Sequence, residues 1–184
     1  MTHEPPPQSR TVGMVVAKAK PKTMSAGFVL FRRLPAVSDG EGCPPVEVLI
    51  GHLGGPFWAK KDEGAWSFPK GLLEVDEEPF DGALREFREE VGFAVPGPPT
   101  RDDAIDLGVV VGSAKSVHLF ATSADVDLSA FRPGMFEMEW PPRSGRTASI
   151  PEIDRITWSS LDVAEARLSA GQRPFVARLR SRLS

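Results

Sequence analysis

Residues 71–93, with the sequence GLLEVDEEPFDGALREFREEVGF, contain the strongest structural signal in this chain. They predict a helix from Pro79 to Val91, because a proline suits the first helical turn, where its missing N–H would have no helical partner. The acidic residues just before and inside this turn favour the positive end of the helix dipole. Gly92 can adopt the left-handed conformation that ends a helix, so the predicted helix has a defined start and a defined end.

The predicted helix has an apolar face and an acidic face. With about 100° between successive residues, its largest apolar side chains share one arc and are expected to pack on a sheet. They are Phe80, Leu84, Phe87 and Val91. Glu86, Glu89 and Glu90 share a different arc, where neighbouring carboxylates repel one another by about 0.2–0.5 kcal/mol per pair. A divalent cation such as Mg²⁺ would offset this repulsion, and a solvated acidic face paired with Arg85 and Arg88 is the alternative.

The stretch from Gly71 to Phe93 resembles the signature motif of the Nudix hydrolase family, G-x₅-E-x₇-R-E-U-x-E-E-x-G-U, in which U is an aliphatic residue. Its fixed polar and glycine positions are matched by Gly71, Glu77, Arg85, Glu86, Glu89, Glu90 and Gly92. Both U positions are phenylalanine here, which keeps them apolar. The similarity continues through 25–27 and 66–70, so that roughly residues 25–183 can be aligned with the family. It implies an α+β protein with the Nudix fold, in which a mixed β-sheet is sandwiched between helices (α/β/α).

The resemblance also implies a role for the acidic residues. Glu86, Glu89 and Glu90 would bind Mg²⁺, or alternatively Mn²⁺, with help from the backbone carbonyl of Lys70. Such ions neutralise phosphate oxygens and lower the pKa of a bound water. In the family a carboxylate then removes a proton from this water, either from within the motif or from a loop near the last strand. Glu86 and Glu152 are the two candidates for this catalytic base.

The remaining motif residues would support these ligands. By resemblance, Arg85 orients a metal-binding glutamate and therefore belongs to the catalytic set, while Glu77 braces the loop before the helix. Gly71 and Gly92 are structural positions of the motif.

The sequence after the motif resembles the diadenosine polyphosphate hydrolases, a branch of the Nudix family. Lys115-Ser116-Val117 followed by Phe120 resembles a strand whose lysine contacts phosphate, and residues 165–168 and 171–175 resemble the final helix pair of that branch. The expected reaction is therefore the asymmetric cleavage of diadenosine tetraphosphate to ATP and AMP. Two alternatives remain open: a pyrophosphohydrolase acting on nucleoside triphosphates or nucleotide sugars, and a non-catalytic nucleotide-binding regulatory domain.

The aromatic residues depart from this branch. Its members commonly clamp adenine with tyrosine, but this chain contains no tyrosine, and Leu119 occupies the corresponding strand position. Phe57, Trp58 and Phe136, all expected in loops, are the substitutes for ring stacking, with ordinary packing as the alternative. The arginines of the 139–146 loop could bind phosphate or belong to a rigid surface turn.

The composition limits the possible functions. The chain of 184 residues has a formal net charge of −3, one cysteine and no long apolar run. These properties predict a cytoplasmic protein that binds neither a membrane nor a stable nucleic acid partner. The resemblance implies a small nucleotide as substrate, and a monomer and a homodimer both remain open. Cys43 is expected to be an unreactive loop thiol. Residues 1–23, which are rich in proline and lysine, predict a disordered leader before a Nudix domain at 24–184.

Outside the motif, the pattern of apolar residues predicts further strands and two further helices. The strands are expected at 26–31, 46–53, 66–69, 105–113, 117–122 and 153–158, and the helices at 161–168 and 173–183. The strands do not alternate regularly with the helices, which favours a mixed sheet over a doubly wound parallel sheet.

Overall fold

The computed structural model describes residues 23–35, 44–113 and 115–184. The strands are β1 (Thr23–Arg33), β2 (Val46–Leu53), β3 (Trp66–Ser67), β4 (Lys70–Leu72), β5 (Ile105–Val111), β6 (Lys115–Ser123), β7 (Met135–Glu139), β8 (Thr147–Pro151) and β9 (Ile153–Ser160). The helices are α1 (Pro79–Val91), α2 (Leu161–Arg167) and α3 (Arg173–Leu183), and a short 3₁₀ helix spans Leu128–Ala130. The three helices lie where the sequence predicted them, and α1 has the predicted bounds.

Seven strands form one mixed sheet with the order β3-β2-β1-β6-β5, while β4 pairs with β1 and β9 pairs with β2. Strands β1 and β6 run parallel, and the other pairs described in this sheet are antiparallel. In this register Lys115 lies opposite Thr23, and Lys70 lies opposite Gly27. The two lysines therefore flank the beginning of β1 from its two sides, which brings two positive charges to one end of the sheet.

Helices cover both faces of this sheet. Side chains of β1 alternate between two hydrophobic clusters: Phe28 and Leu30 pack with residues of α1, whereas Val29 and Phe31 pack with residues of α2 and α3. This alternation follows from the period of two in a β-strand. From α1, Phe87 is fully buried in the first cluster. The arrangement confirms the predicted α+β fold with a sheet between two helical layers.

The 139–146 loop is the turn of a hairpin, because residues 140–146 connect strands β7 and β8. Strands β7 and β8 pair antiparallel in a separate two-stranded sheet, with Phe136 opposite Ile150. The prediction that Phe136 lies in a loop is therefore wrong. Strand β7 is mostly exposed, and β8 buries only Ile150, so the two short strands offer little of the apolar pattern by which a strand is recognised in a sequence.

The predicted leader, residues 1–23, overlaps the first described strand at its last residue. Thr23 is the first residue of β1 and pairs with Lys115. The predictions for residues 1–22 and for Cys43 lie outside the described residues. Within the three described ranges, no helix is long and apolar enough to cross a membrane.

Candidate active site

The acidic face of α1 is partly buried. Glu86 and Glu90 are 9% and 7% exposed, whereas the side chain of Glu89 is 53% exposed. Because ionised carboxylates are rarely buried without partners, Glu86 and Glu90 require positive charges or hydrogen-bond donors close by. A solvated acidic face, the alternative considered from the sequence, is therefore wrong for these two residues.

Arg85 lies at the centre of a carboxylate network. Its Nη1 donates to Glu86 Oε1 at 2.7 Å and to Glu89 Oε2 at 2.9 Å. Its Nε and Nη2 donate to the two carboxylate oxygens of Glu77, each at 2.8 Å, which is the bidentate geometry that strengthens such pairs. The guanidinium thus supplies part of the positive charge that the acidic face requires, and Glu77 fixes its orientation.

Strand β4 approaches this face so closely that a side chain at Gly71 would meet the Glu86 carboxylate. A Cβ atom at Gly71 would lie 1.8 Å from Glu86 Oε2, so any side chain there would displace that carboxylate. The backbone N–H of the preceding residue, Lys70, donates to Glu90 Oε2 at 2.9 Å. Gly92, with a φ of 81°, ends α1 in the left-handed conformation, as predicted. Both motif glycines therefore occupy positions where a side chain would disturb the site or the helix end.

The charge on the two buried glutamates is only partly compensated. Burial raises the pKa of Glu90 to about 7; Lys70 opposes this shift, and Glu152 and Glu86 add to it. Burial also raises the pKa of Glu86, against the lowering effect of Arg85. The protein alone therefore does not fully stabilise the ionised form of these carboxylates, which favours a site that receives further positive charge.

A cavity of about 680 Å³ lies above this face of α1. Four carboxylates line it, those of Glu86, Glu89, Glu90 and Glu152, and so do Lys70 and Lys115. Glu152 is brought there by the corner between β8 and β9, where its backbone N–H donates to the carbonyl of Gly134 at 2.9 Å. We call this space the carboxylate cavity.

A second cavity of about 450 Å³ adjoins the first and shares Lys70 and Lys115 with it. Its walls combine apolar and neutral polar side chains, namely Leu53, Trp58, Val110, Val117, Ser67, Ser169 and Gln172. We call it the nucleoside cavity, after the ligand that we propose for it. The proximity of Lys70 lowers the pKa of Lys115, because two like charges close together disfavour the ionised form of each. An anion bound between the cavities would relieve this repulsion.

Of the three aromatic residues that were predicted to stack on a base, only Trp58 lies at a cavity wall. Trp58 lines the nucleoside cavity. Phe57 instead packs edge-on against Trp140 of the hairpin, with ring centroids 5.1 Å apart, and neither it nor Phe136 lines either cavity. Leu119 is fully buried in the core, so the strand position that would carry a stacking ring does not face a ligand here.

Two features of the site were missed in the sequence. The family resemblance assigns a role only to the backbone carbonyl of Lys70, whereas the residue lines the same two cavities as Lys115. Gln172 was treated as part of a tail motif, but it is buried, accepts from the N–H of Phe68 at 2.8 Å and donates to Ser67 Oγ at 2.8 Å. A glutamine just before a proline-initiated helix is a weak signal, and only the tertiary structure shows that it supports the segment leading to Lys70.

The donor set of the carboxylate cavity fits a hard divalent cation. Its ligands would be carboxylate oxygens, which Mg²⁺ and Mn²⁺ prefer, and the raised pKa values of Glu86 and Glu90 indicate a need for added positive charge. Among the residues that the structure describes, no three His, Cys, Asp or Glu side chains already form a complete metal site. Glu86 and Glu89 are instead bridged by Arg85.

The sequence profile of the NUDIX domain matches residues 47–179. This match covers most of the chain and includes α1 with its acidic face, so the protein belongs to the Nudix family.

Similar proteins share parts of the chain or its fold. RNA pyrophosphohydrolases of Alkalilimnicola ehrlichii and Halorhodospira halophila are 37% identical over 59 residues and 40% identical over 58 residues. Each alignment covers 30% of this chain and 33% or 32% of the relative, so the matched segment spans about a third of those proteins.

Solved structures resemble the protein over nearly its whole length. The Ap4A hydrolase of C. elegans, in a binary complex, has a TM-score of 0.54 at 20% identity and covers 88% of this chain and 97% of its own. The NUDIX domain of Shewanella oneidensis NrtR, complexed with ADP ribose, has a TM-score of 0.55 at 16% identity and covers 90% and 91%. At these identities the likeness shows the fold.

Proposed function

We propose that the protein hydrolyses a phosphoanhydride bond in a nucleoside polyphosphate, with Mg²⁺ or Mn²⁺ as cofactor. One observation carries this proposal: Lys70 and Lys115 stand between a cavity lined by four carboxylates and a cavity walled by Trp58 and apolar side chains. A nucleoside polyphosphate has the matching parts, an aromatic base next to a chain of anionic phosphates. Its base would enter the nucleoside cavity, and its phosphates would cross the lysine pair towards the carboxylates.

Glu86, Glu89 and Glu90 would hold the metal, with Lys70 contributing its backbone carbonyl. When bound, a divalent cation offsets phosphate charge and makes water more acidic. Arg85 contacts Glu86 and Glu89 through one nitrogen and Glu77 through the other two. We infer that Arg85 orients these carboxylates and that Glu77 holds Arg85, so both residues act on catalysis through the ligands.

Glu152 is the better candidate for the general base. Glu86 is engaged by Arg85 at 2.7 Å, whereas Glu152, within the described part of the chain, has no side-chain hydrogen bond or ion pair, and it lines the carboxylate cavity. A base must reach the attacking water and must have a lone pair free to accept its proton. A carboxylate at the cavity wall without a competing donor meets both conditions.

Diadenosine tetraphosphate, cleaved unequally into ATP and AMP, is the substrate that we propose. The Lys115-Ser116-Val117 strand and the terminal helix pair, with Gln172 between its helices, support it, as does the structural likeness to the C. elegans Ap4A hydrolase. With one adenosine in the nucleoside cavity, the lysine pair would fix the register of the phosphates and thereby select the phosphorus that is attacked. Trp58 would provide the stacking surface that tyrosine provides in the diadenosine polyphosphate hydrolases.

A second candidate is removal of pyrophosphate from a 5′-triphosphate, whether of free nucleotides or of RNA. The identity with two RNA pyrophosphohydrolases favours it. The chemistry at the carboxylate cavity would be the same, and only the group beyond the phosphates would differ. A purely regulatory, non-catalytic domain is a third possibility, against which the complete set of motif carboxylates argues.

Incubation with diadenosine tetraphosphate and Mg²⁺ in H₂¹⁸O, followed by chromatography and mass spectrometry of the products, tests the proposal. We expect equal amounts of ATP and AMP, with ¹⁸O in one of them. Two molecules of ADP per substrate would contradict unequal cleavage. Rapid release of pyrophosphate from GTP or from a 5′-triphosphorylated RNA, without cleavage of the dinucleotide, would favour the second candidate. No metal-dependent product from any of these substrates would favour the regulatory domain.

A further inference from the structure

His52 is a fully buried polar residue outside the carboxylate cavity. It lies on β2 and has no exposed surface. Its Nδ1 lies 2.9 Å from Asp154 Oδ1, and its Nε2 lies 2.9 Å from the backbone carbonyl of Lys61. The Asp154 carboxylate and the Lys61 carbonyl are both hydrogen-bond acceptors, so each ring nitrogen of His52 lies against a partner. Trp66 packs edge-on against the ring, with centroids 5.1 Å apart.

The acceptor at Lys61 belongs to the loop that carries Trp58. The N–H of Lys61 donates to the carbonyl of Trp58 at 2.8 Å, and the Lys61 ammonium group lies 4.8 Å from the centre of the Trp58 ring. Lys61 therefore contacts Trp58 through both its backbone and its side chain. These two contacts link the position of the tryptophan to that of Lys61.

The other end of this loop is held by the corner that carries Glu152. The N–H of Gly54 donates to the carbonyl of Glu152 at 2.9 Å. A Cβ atom at Gly54 would lie 1.9 Å from the carbonyl oxygen of Pro151, so the two backbones touch. Asp154, the partner of His52, lies two residues beyond Glu152. The 54–61 loop is thus fixed at its start by Glu152 and at its end by His52.

We propose that His52 is a positioning residue for Trp58. Its Nε2 fixes Lys61, Lys61 fixes the tryptophan at the wall of the nucleoside cavity, and Asp154 prevents the imidazole from turning. This inference rests on the proposed function only where it assigns a substrate base to Trp58. The mechanical link from His52 to Trp58 is independent of that assignment.

Two substitutions of His52 separate its hydrogen bonds. The amide nitrogen of asparagine overlies imidazole Nδ1, so His52→Asn keeps the bond to Asp154 and loses the bond to Lys61. The amide nitrogen of glutamine overlies Nε2, so His52→Gln keeps the bond to Lys61. Both variants lose the ring packing against Trp66, so that loss does not distinguish them. A role in positioning Trp58 makes them differ in the state of the tryptophan, whatever their stabilities.

Kinetics with diadenosine tetraphosphate and Mg²⁺ provide the first readout. We expect His52→Asn to raise KM about tenfold with kcat nearly unchanged, in the range of one lost base-stacking contact. We expect His52→Gln to stay within about twofold of the wild type. Trp58→Ala should raise KM at least as much as His52→Asn, and His52→Asn should add nothing in the Trp58→Ala background. Equal KM values for the two His52 variants, beside a raised KM for Trp58→Ala, would overturn the proposal.

¹⁹F NMR of the full chain labelled with 5-fluorotryptophan provides a readout that needs no substrate. Trp58→Phe assigns the Trp58 resonance, which should shift or broaden in His52→Asn and stay unchanged in His52→Gln. If the Trp58 resonance changes only in His52→Asn while Trp58→Ala leaves KM unchanged, the positioning role of His52 stands. The assignment of a substrate base to Trp58 is then wrong. A Trp58 resonance that is the same in both variants overturns the positioning role. If neither His52 variant folds, Asp154→Ala should broaden the resonance and Asp154→Asn should preserve it, and equal spectra would again overturn the role.

Discussion

At the scale of single residues, two glutamates of the same motif have opposite electrostatic environments. Glu77 accepts two hydrogen bonds from Arg85, and these bonds, together with one from the N–H of Glu74, lower its pKa to about 2. Burial raises the pKa of Glu90 to about 7. A carboxylate that positions an arginine should stay ionised beside that arginine. A carboxylate that binds a metal ion instead receives its positive partner from solution. The difference therefore agrees with a bracing role for Glu77 and a ligand role for Glu90.

Glu89→Gln and Glu90→Gln are each expected to lower kcat at least about 100-fold while the fold stays intact. Each change removes an oxygen charge from the proposed metal site, so that less positive charge is held beside the phosphates in the transition state. Steady-state kinetics at saturating Mg²⁺ measures the effect, and circular dichroism confirms the fold. Glu137→Gln, at an exposed position of the hairpin, is the control. Near-normal turnover of both test variants would remove these residues from the metal site.

Glu152→Gln is expected to lower kcat by about 10²–10⁴-fold while metal affinity changes little. The reason is that the Glu152 carboxylate lines the cavity without a donor bound to it, whereas Glu86 is held by Arg85. Comparison of pH–rate profiles and of Mn²⁺ affinity for Glu152→Gln and Glu86→Gln distinguishes the two residues. A Glu152→Gln variant with an unchanged rate and profile, beside a disabled Glu86→Gln, would place the base within the motif.

At the scale of secondary-structure elements, Arg85 joins α1 to the segment that precedes it. Besides its three carboxylate partners, it donates to the carbonyl of Leu72 in β4 at 3.0 Å, and Glu77 accepts from the N–H of Glu74 at 2.9 Å. The connection between β4 and α1 is therefore held by charge-assisted hydrogen bonds around one guanidinium. This explains how a short loop with several acidic residues keeps one conformation beside the carboxylate cavity.

The pair of Glu77 and Arg85 should make the free energy of unfolding depend on pH in the acidic range. The pKa of Glu77 falls from 4.5 to about 2 on folding, so its contribution is complete above about pH 4.5 and is lost as the pH falls towards 2. We expect Glu77→Gln to reduce the free energy of unfolding at pH 6 and to flatten its decline between pH 5 and 3. Denaturant titrations at several pH values measure this. Glu78→Gln, at a largely exposed neighbouring position, is the control, and parallel curves for Glu77→Gln and the wild type would contradict the prediction.

At the scale of the whole molecule, the sequence predicted those features that depend on residues close together in the chain. The bounds of α1 follow from Pro79 and Gly92. The grouping of the motif glutamates on one face of this helix follows from their spacing. The hairpin of β7 and β8 was missed because β7 is mostly exposed and β8 buries only Ile150. The contact between His52 and Asp154 joins residues 102 positions apart, and the two lysines meet only because β1 lies between β4 and β6. Such contacts depend on strand order and register, which no short stretch of sequence specifies.

Metal binding should be visible in the stability of the whole chain. In the wild type, Glu86 and Glu90 are buried and their negative charges are only partly compensated by neighbouring cations. A ligand that binds only the folded state stabilises it in proportion to the logarithm of the ligand concentration. We therefore expect Tm at pH 8 to be lowest in EDTA and to rise as Mg²⁺ is added.

Glu90→Gln replaces a buried charge by a neutral amide, so its Tm in EDTA should equal or exceed that of the wild type, and the rise with Mg²⁺ should be largely lost. Differential scanning calorimetry with and without Mg²⁺ measures both effects, and Glu137→Gln should behave as the wild type does. A Tm of the wild type that is independent of Mg²⁺ would contradict metal binding in the carboxylate cavity, and a Glu90→Gln variant with an undiminished rise would place the metal on other residues.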